Sequence, residues 1–102
     1  MNAIENQVRE LVAVELSAAN ERFPQFHSVH EGWAVIRKEV EETREQLDAA
    51  ERYLNYLWGR VKENCSAKEQ AEYVEMFAIN AACEAIQVAA MCRKFMEMEN
   101  RA

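Results

Sequence analysis

Carboxylates at helical spacing occur in two places in this chain. In Glu39-Val40-Glu41-Glu42, the first and last acids are three residues apart and share one face of a helix. In Met76-Phe77-Ala78-Ile79-Asn80-Ala81-Ala82-Cys83-Glu84-Ala85-Ile86-Gln87-Val88-Ala89-Ala90-Met91-Cys92, the strongly polar side chains are Asn80, Glu84 and Gln87. Spacings of four and three put them in one helical stripe. The rest of that segment is apolar nearly all round, which predicts a buried central helix. A carboxylate there needs an ion, a base or donors from another helix. Glu39 and Glu42 facing Glu84 and Gln87 would form an all-oxygen cage, the environment that Mg²⁺ or Mn²⁺ prefers. Bridged to a polyphosphate, such an ion polarises the phosphoryl centre and helps activate water. Glu31 lies eleven residues before Glu42, close to three whole turns, and so falls on nearly the same line.

Each feature also has a plainer explanation. Glu39, Glu41 and Glu42 suit a solvated helix face. Glu84 could pair with Gln46, Arg44 or a second chain, and Asn80 with Gln87 could be a satisfied amide pair. The aromatic residues Trp33, Tyr53, Tyr56 and Trp58 suit a helix interface, with Trp33 the best placed to stack on a base. His30, beside Glu31, could contact phosphate or cap its helix. Cys83 and Cys92 suit core packing.

Three helices must position these groups: 3–22, 29–62 and 67–98. In the first, Ile4, Val8, Leu11, Val12, Leu16 and Ala19 give one apolar face. Pro24 ends it, and Phe23 and Phe26 are expected to pin the following loop to the core. Ser28-Val29-His30-Glu31 fits a capping box, and so does Ser66-Ala67-Lys68-Glu69. The second helix carries a seam of Trp33, Ile36, Val40, Thr43, Leu47, Ala50, Leu54, Leu57 and Val61, with spacings of three and four. The third carries Val74, Phe77, Ala81, Glu84, Val88, Met91, Phe95 and Met98. The turn at Asn64-Cys65 makes the two long helices an antiparallel hairpin. Symmetric pairing about it puts Glu84 near Gln46, Gln87 near Thr43 and Met91 near Glu39. One short helix cannot cover a hairpin about 45–50 Å long at ~1.5 Å per residue. The expected architecture is therefore all-α, a short N-terminal helix plus a long hairpin, assembling as a homodimer or homotetramer with a four-helix-bundle core.

The 102 residues suit a single domain, and half of them are apolar, which argues against disorder. A net charge of −6 argues against an extended nucleic-acid footprint. It leaves room for a small phosphorylated ligand bridged by a cation. No signal peptide and no uninterrupted apolar run of ~18 residues is visible, so no membrane span is expected. Three cysteines without framework spacing predict reduced thiols and a cytoplasmic protein.

The segments 26–36, 38–42 and 84–91 together resemble small phage and prophage proteins related to MazG, among the all-α nucleoside triphosphate pyrophosphohydrolases. That superfamily carries EExxE on one helix and ExxD on the next long one. The resemblance covers roughly residues 23–95. It implies hydrolysis of a nucleoside triphosphate to monophosphate and pyrophosphate by oligomers of helical hairpins, with Mg²⁺ held by the acidic residues. Position by position, it assigns Glu39, Glu42 and Glu84 as metal ligands. Gln87 and Asn80 would position water or a phosphate oxygen, and Glu31 or a Glu oxygen off the metal would accept the water's proton. Lys38, His30 and Trp33 would contact the nucleotide. Two positions depart from the pattern: Lys38 replaces the first acid of EExxE, and Gln87 replaces the Asp of ExxD. These departures keep open a non-catalytic relative acting as a scaffold or protein-binding module, and a plain coiled-coil adaptor.

Overall fold

A computed structural model of the chain describes residues 3–101. It contains three α-helices, α1 (Glu5–Arg22), α2 (Val29–Lys62) and α3 (Lys68–Arg101), and no strand among the described residues. Ala3 and Ile4, expected in the first helix, form a turn before it. Pro24 ends α1 as its chemistry requires, with Phe23 extended at φ −138°, ψ 94°. Ser28 starts α2: its hydroxyl accepts from the Glu31 amide at 3.1 Å. Glu31 reaches back one residue further than a capping box, to the His27 amide at 3.3 Å and the His27 ring at 3.1 Å.

The α2–α3 turn explains the register of the hairpin. Asn64 takes the left-handed conformation, φ 56°. The Cys65 amide then donates to the Arg60 carbonyl and the Asn64 amide to that of Val61, closing α2 with a Schellman-type stop. Residues 65–67 are non-helical. Outside a helix a residue advances up to about 3.3 Å rather than ~1.5 Å, so three of them consume roughly one extra turn of α2. Arg60 Nε accordingly donates to the Ser66 carbonyl at 3.0 Å. Farther along, Asn80 donates to Gln46 at 3.3 Å and Tyr53 stacks on Tyr73 at 4.6 Å. The hairpin is thus shifted one turn from symmetric pairing, and Asn80 rather than Glu84 meets Gln46. The second capping box does not form, because the Ser66 hydroxyl accepts from the Lys68 amide and α3 starts at that residue.

The α2 seam divides in two. Ile36, Thr43, Ala50 and Leu57 are half-buried toward α3, while Trp33, Val40, Leu47, Leu54 and Val61 are exposed. The α3 seam is buried or half-buried throughout, but α3 is not enclosed: Tyr73, Met76 and Ile79 are exposed. An 18-residue window of α3 reaches a mean hydropathy of 1.3, long and apolar enough by composition to cross a membrane, and only 11% of it is buried within the chain. The interspersed Asn80, Glu84 and Gln87 interrupt the run without bringing the average below that level.

The best-packed region is the end of the hairpin beside the α1–α2 loop. Gly32 is buried because Phe95 and Phe26 lie where its Cβ would be, at 2.6 and 3.0 Å. Ala90 is fully buried and Lys94 is 2% exposed. Lys94 Nζ donates to the Phe23 carbonyl and lies 5.0 Å from the Phe26 ring centre. Phe26 joins this packing, but Phe23 is 70% exposed and does not pin the loop. Among the three cysteines, all free, Cys92 is half-buried and Cys83 is exposed, so Cys83 is not a core residue. The helix α1 packs on α3 and places Val12 in the core.

Candidate functional site

Glu39, Glu42 and Glu84 converge. One carboxylate oxygen from each lies within 4.8 Å of the other two, and all three residues are half-buried. Glu39 and Glu42 come from consecutive turns of α2, and Glu84 comes from the facing side of α3. The one-turn register shift puts Glu84 opposite this pair. Thr43 helps fix the α2 wall, its hydroxyl donating to the Glu39 carbonyl at 2.9 Å.

Three carboxylates this close repel one another. Glu39 is pushed up to about 7, first by burial, then by the charges of Glu42 and Glu84. Glu84 is also raised, by burial and then by Glu42. Glu39 Oε2 and Glu84 Oε2 are buried with no hydrogen-bond partner. Carboxylates are acceptors only when ionised, so such a cluster is satisfied either by a proton held between two of them or by a cation. The oxygen donors and their number suit a hard divalent ion such as Mg²⁺ or Mn²⁺.

The other expected residues fall at varying distances. Gln87 is half-buried, one turn beyond Glu84 on α3. Lys38 is exposed, one turn before Glu42 on the same face of α2. Asn80 belongs to the adjacent layer, engaged with Gln46. His30 and Glu31 lie roughly 12–14 Å along the α2 axis from Glu39, too far to reach the same ion. Glu31 is moreover committed to His27. Trp33 precedes Glu42 by two and a half turns and therefore sits on the opposite side of α2. It is exposed, with the Arg37 guanidinium 5.6 Å from its ring centre. Tyr53 is absorbed in an aromatic cluster with Tyr56, Tyr73 and Phe77 near the turn. Arg37 pairs with Glu41, which takes that carboxylate out of the cluster.

The sequence reading did not single out Lys94 or Gly32. Arg93-Lys94 near a chain end resembles any solvated basic pair. The only signal for Gly32 was a glycine in the first turn of a long helix, where helix propensity disfavours it. No family model, no curated protein and no solved structure matches the chain, so the resemblance to the MazG group rests on its short motifs.

Proposed function

We propose that the chain is a metal-dependent nucleoside triphosphate pyrophosphohydrolase, releasing monophosphate and pyrophosphate. The convergence of Glu39, Glu42 and Glu84 carries this reading. These three side chains would hold Mg²⁺ or Mn²⁺, which supplies Lewis-acid polarisation of the phosphates when bound. Lys38, on the Glu42 face, would contact a phosphate oxygen. Gln87, beside Glu84, would orient water. With Glu31 out of reach, the proton acceptor would be a cluster carboxylate oxygen not engaged by the ion. Asn80 would act on the site through Gln46 rather than by touching substrate. The reading includes a homo-oligomer with a four-helix core, which would supply burial that one chain lacks.

The test is turnover with a panel of ribo- and deoxyribonucleoside triphosphates in Mg²⁺ or Mn²⁺, with pyrophosphate as readout. Metal-dependent release that disappears in Glu42→Gln supports the reading. Turnover unaffected by Glu42→Gln would overturn the assignment of the site.

A second reading is a non-catalytic helical scaffold. It is favoured by the amide at Gln87, the lysine at position 38, and a Glu39–Glu84 pair that a proton alone can satisfy. It predicts no Mn²⁺ uptake by calorimetry near neutral pH and no turnover.

A further inference from the structure

The exposed half of the α2 seam is a surface in search of a cover. Trp33, Val40, Leu47, Leu54 and Val61 recur at strict intervals of seven along about 42 Å of helix. All five are exposed, Trp33 by 59% and Leu47 by 54%. Isolated exposed apolar residues are ordinary, but an unbroken heptad stripe is the seam of a helix–helix interface.

The area says how large the missing cover is. The chain exposes 7696 Å². A compact monomer of 11.8 kDa exposes about 5,900 Å². The excess of roughly 1,800 Å² lies in the range that one partner of an obligate homodimer buries. No large side chain is fully buried within the chain among the described residues. The molecule is also extended, 60 × 28 × 23 Å, with a radius of gyration of 17.4 Å, against about 13 Å for a compact domain of this length.

The stripe is symmetric about Leu47. Laid antiparallel on a second copy, Leu47 meets itself, Val40 meets Leu54, and the bulky Trp33 meets the smaller Val61. The flanking charges choose the same arrangement. Arg44 and Glu51, one turn beyond Val40 and Leu47, are exposed and have no ion-pair partner among the described residues. An antiparallel pair brings each Arg44 to the other copy's Glu51, twice per dimer, and each Arg37 to a Trp58 face. A parallel pair would need partners from the flank of α2 that holds Glu39, Gln46 and Tyr53, and that flank is turned toward α3. The neighbouring edge of α3 presents Ala78 and Ala85, too small to obstruct the approach. Ala85 borders a groove of about 400 Å³ together with Val40 and Leu47. The stripe also lies about 50° round α2 from the α3-facing seam, on the side away from Glu42. Dimerisation would therefore leave the carboxylate cluster open.

We infer that a second copy of this chain docks on the α2 stripe, antiparallel, with the two-fold axis at Leu47. The inference deepens the homo-oligomer reading and rests on it; it does not depend on turnover. The test begins with sedimentation equilibrium of the full chain. It continues with Leu47→Cys in a background of Cys65→Ser, Cys83→Ser and Cys92→Ala, under mild oxidation. The expected results are a dimer, and an intermolecular disulfide from Leu47→Cys that Val40→Cys alone does not give. Arg44→Glu or Glu51→Arg should each weaken the dimer at least about tenfold in Kd, and the double exchange should restore it. A monomer at all concentrations overturns both the homo-oligomer reading and the inference. So does a chain that partitions into phosphatidylcholine vesicles through α3. A stable oligomer lacking the Leu47→Cys crosslink and indifferent to the charge exchange overturns the inference alone.

Discussion

Glu39 of α2 and Glu84 of α3 face one another across the hairpin seam, and each keeps one buried oxygen without a hydrogen-bond partner. Burial and the nearby Glu42 charge act on both. This gives the metal-free protein a definite pH dependence. Glu39 is raised from 4.5 to about 7 in the folded chain, so the folded state binds a proton that the unfolded state releases over that interval. The stabilising contribution is fully present below pH 4.5 and is lost as the pH rises through about 7. Thermal melts in chelator should therefore show the melting temperature declining from pH 5 to 8 and levelling above that range. Glu39→Gln should flatten the profile. A melting temperature that rises across this interval and is unaffected by the substitution would contradict the shared-proton account.

The same repulsion predicts opposite effects of Glu84→Gln with and without metal. Removing one of three clustered charges relieves the folded state, so the chelated variant should melt a few degrees above the wild type at pH 8. Divalent ions should stabilise the wild type at millimolar Mn²⁺ by binding only the folded chain. The variant should lose most of that increment, because a neutral amide is a poorer ligand for a hard cation. Calorimetry in two buffers of different ionisation enthalpy should detect proton release when Mn²⁺ binds near pH 6, since the ion displaces the proton held by the cluster. An identical Mn²⁺ response in wild type and variant would remove Glu84 from the ligand set.

How much of this was legible depended on the kind of signal. The start of α2 was written in Ser28, whose hydroxyl can satisfy a free helix amide, and the end of α1 in Pro24. That Glu39, Glu42 and Glu84 all face the hairpin seam was legible from their spacing, but their meeting at one level was not, because it follows from the register. The register itself was not legible. It depends on how far residues 65–67 travel outside a helix, and a turn's path is not encoded in the spacing of residues on either side. The two halves of the α2 seam look identical in sequence. Spacing states that both are apolar, but not that one meets α3 within the chain while the other faces outward. Ser66 shows the limit of motif reading, because the same hydroxyl serves a capping box or a tighter local turn.

Gly32 tests how tightly the loop end of the hairpin is packed. A methyl group there would sit 2.6 Å from Phe95 Cδ2 and 3.0 Å from Phe26 Cδ2. Both rings are wedged between α2 and the buried Lys94 region, so neither moves freely. Alanine gains helix propensity, about 1 kcal/mol at most, but overpacking of this kind costs ~1–3 kcal/mol. The packing effect should win, and Gly32→Ala should lower the urea midpoint. Gly59 provides the control, because its added Cβ would meet nothing within 4 Å. Gly59→Ala should raise the midpoint through propensity alone. Equal gains from both substitutions would show that Phe26 and Phe95 are free to shift.

Lys94 separates the contribution of a lysine stem from that of its charge. The residue is 2% exposed, its ammonium donates to the Phe23 carbonyl, and burial lowers its pKa from the usual lysine value. A folded-state pKa that is depressed means the folded chain holds this proton less firmly than the unfolded one. Burying the charge is thus a cost, offset by the bond to Phe23 and by the Phe26 ring face. Lys94→Ala removes stem packing and the donor together, and should cost about 2–3 kcal/mol. Lys94→Met keeps most of the stem, sheds the desolvation cost and orphans one carbonyl at the end of α1, which can turn to water because Phe23 is 70% exposed. The methionine variant should therefore lie within about 1 kcal/mol of the wild type by urea denaturation. If methionine is as damaging as alanine, the ammonium-to-carbonyl bond, and not the packing of the stem, holds the α1–α2 loop against α3.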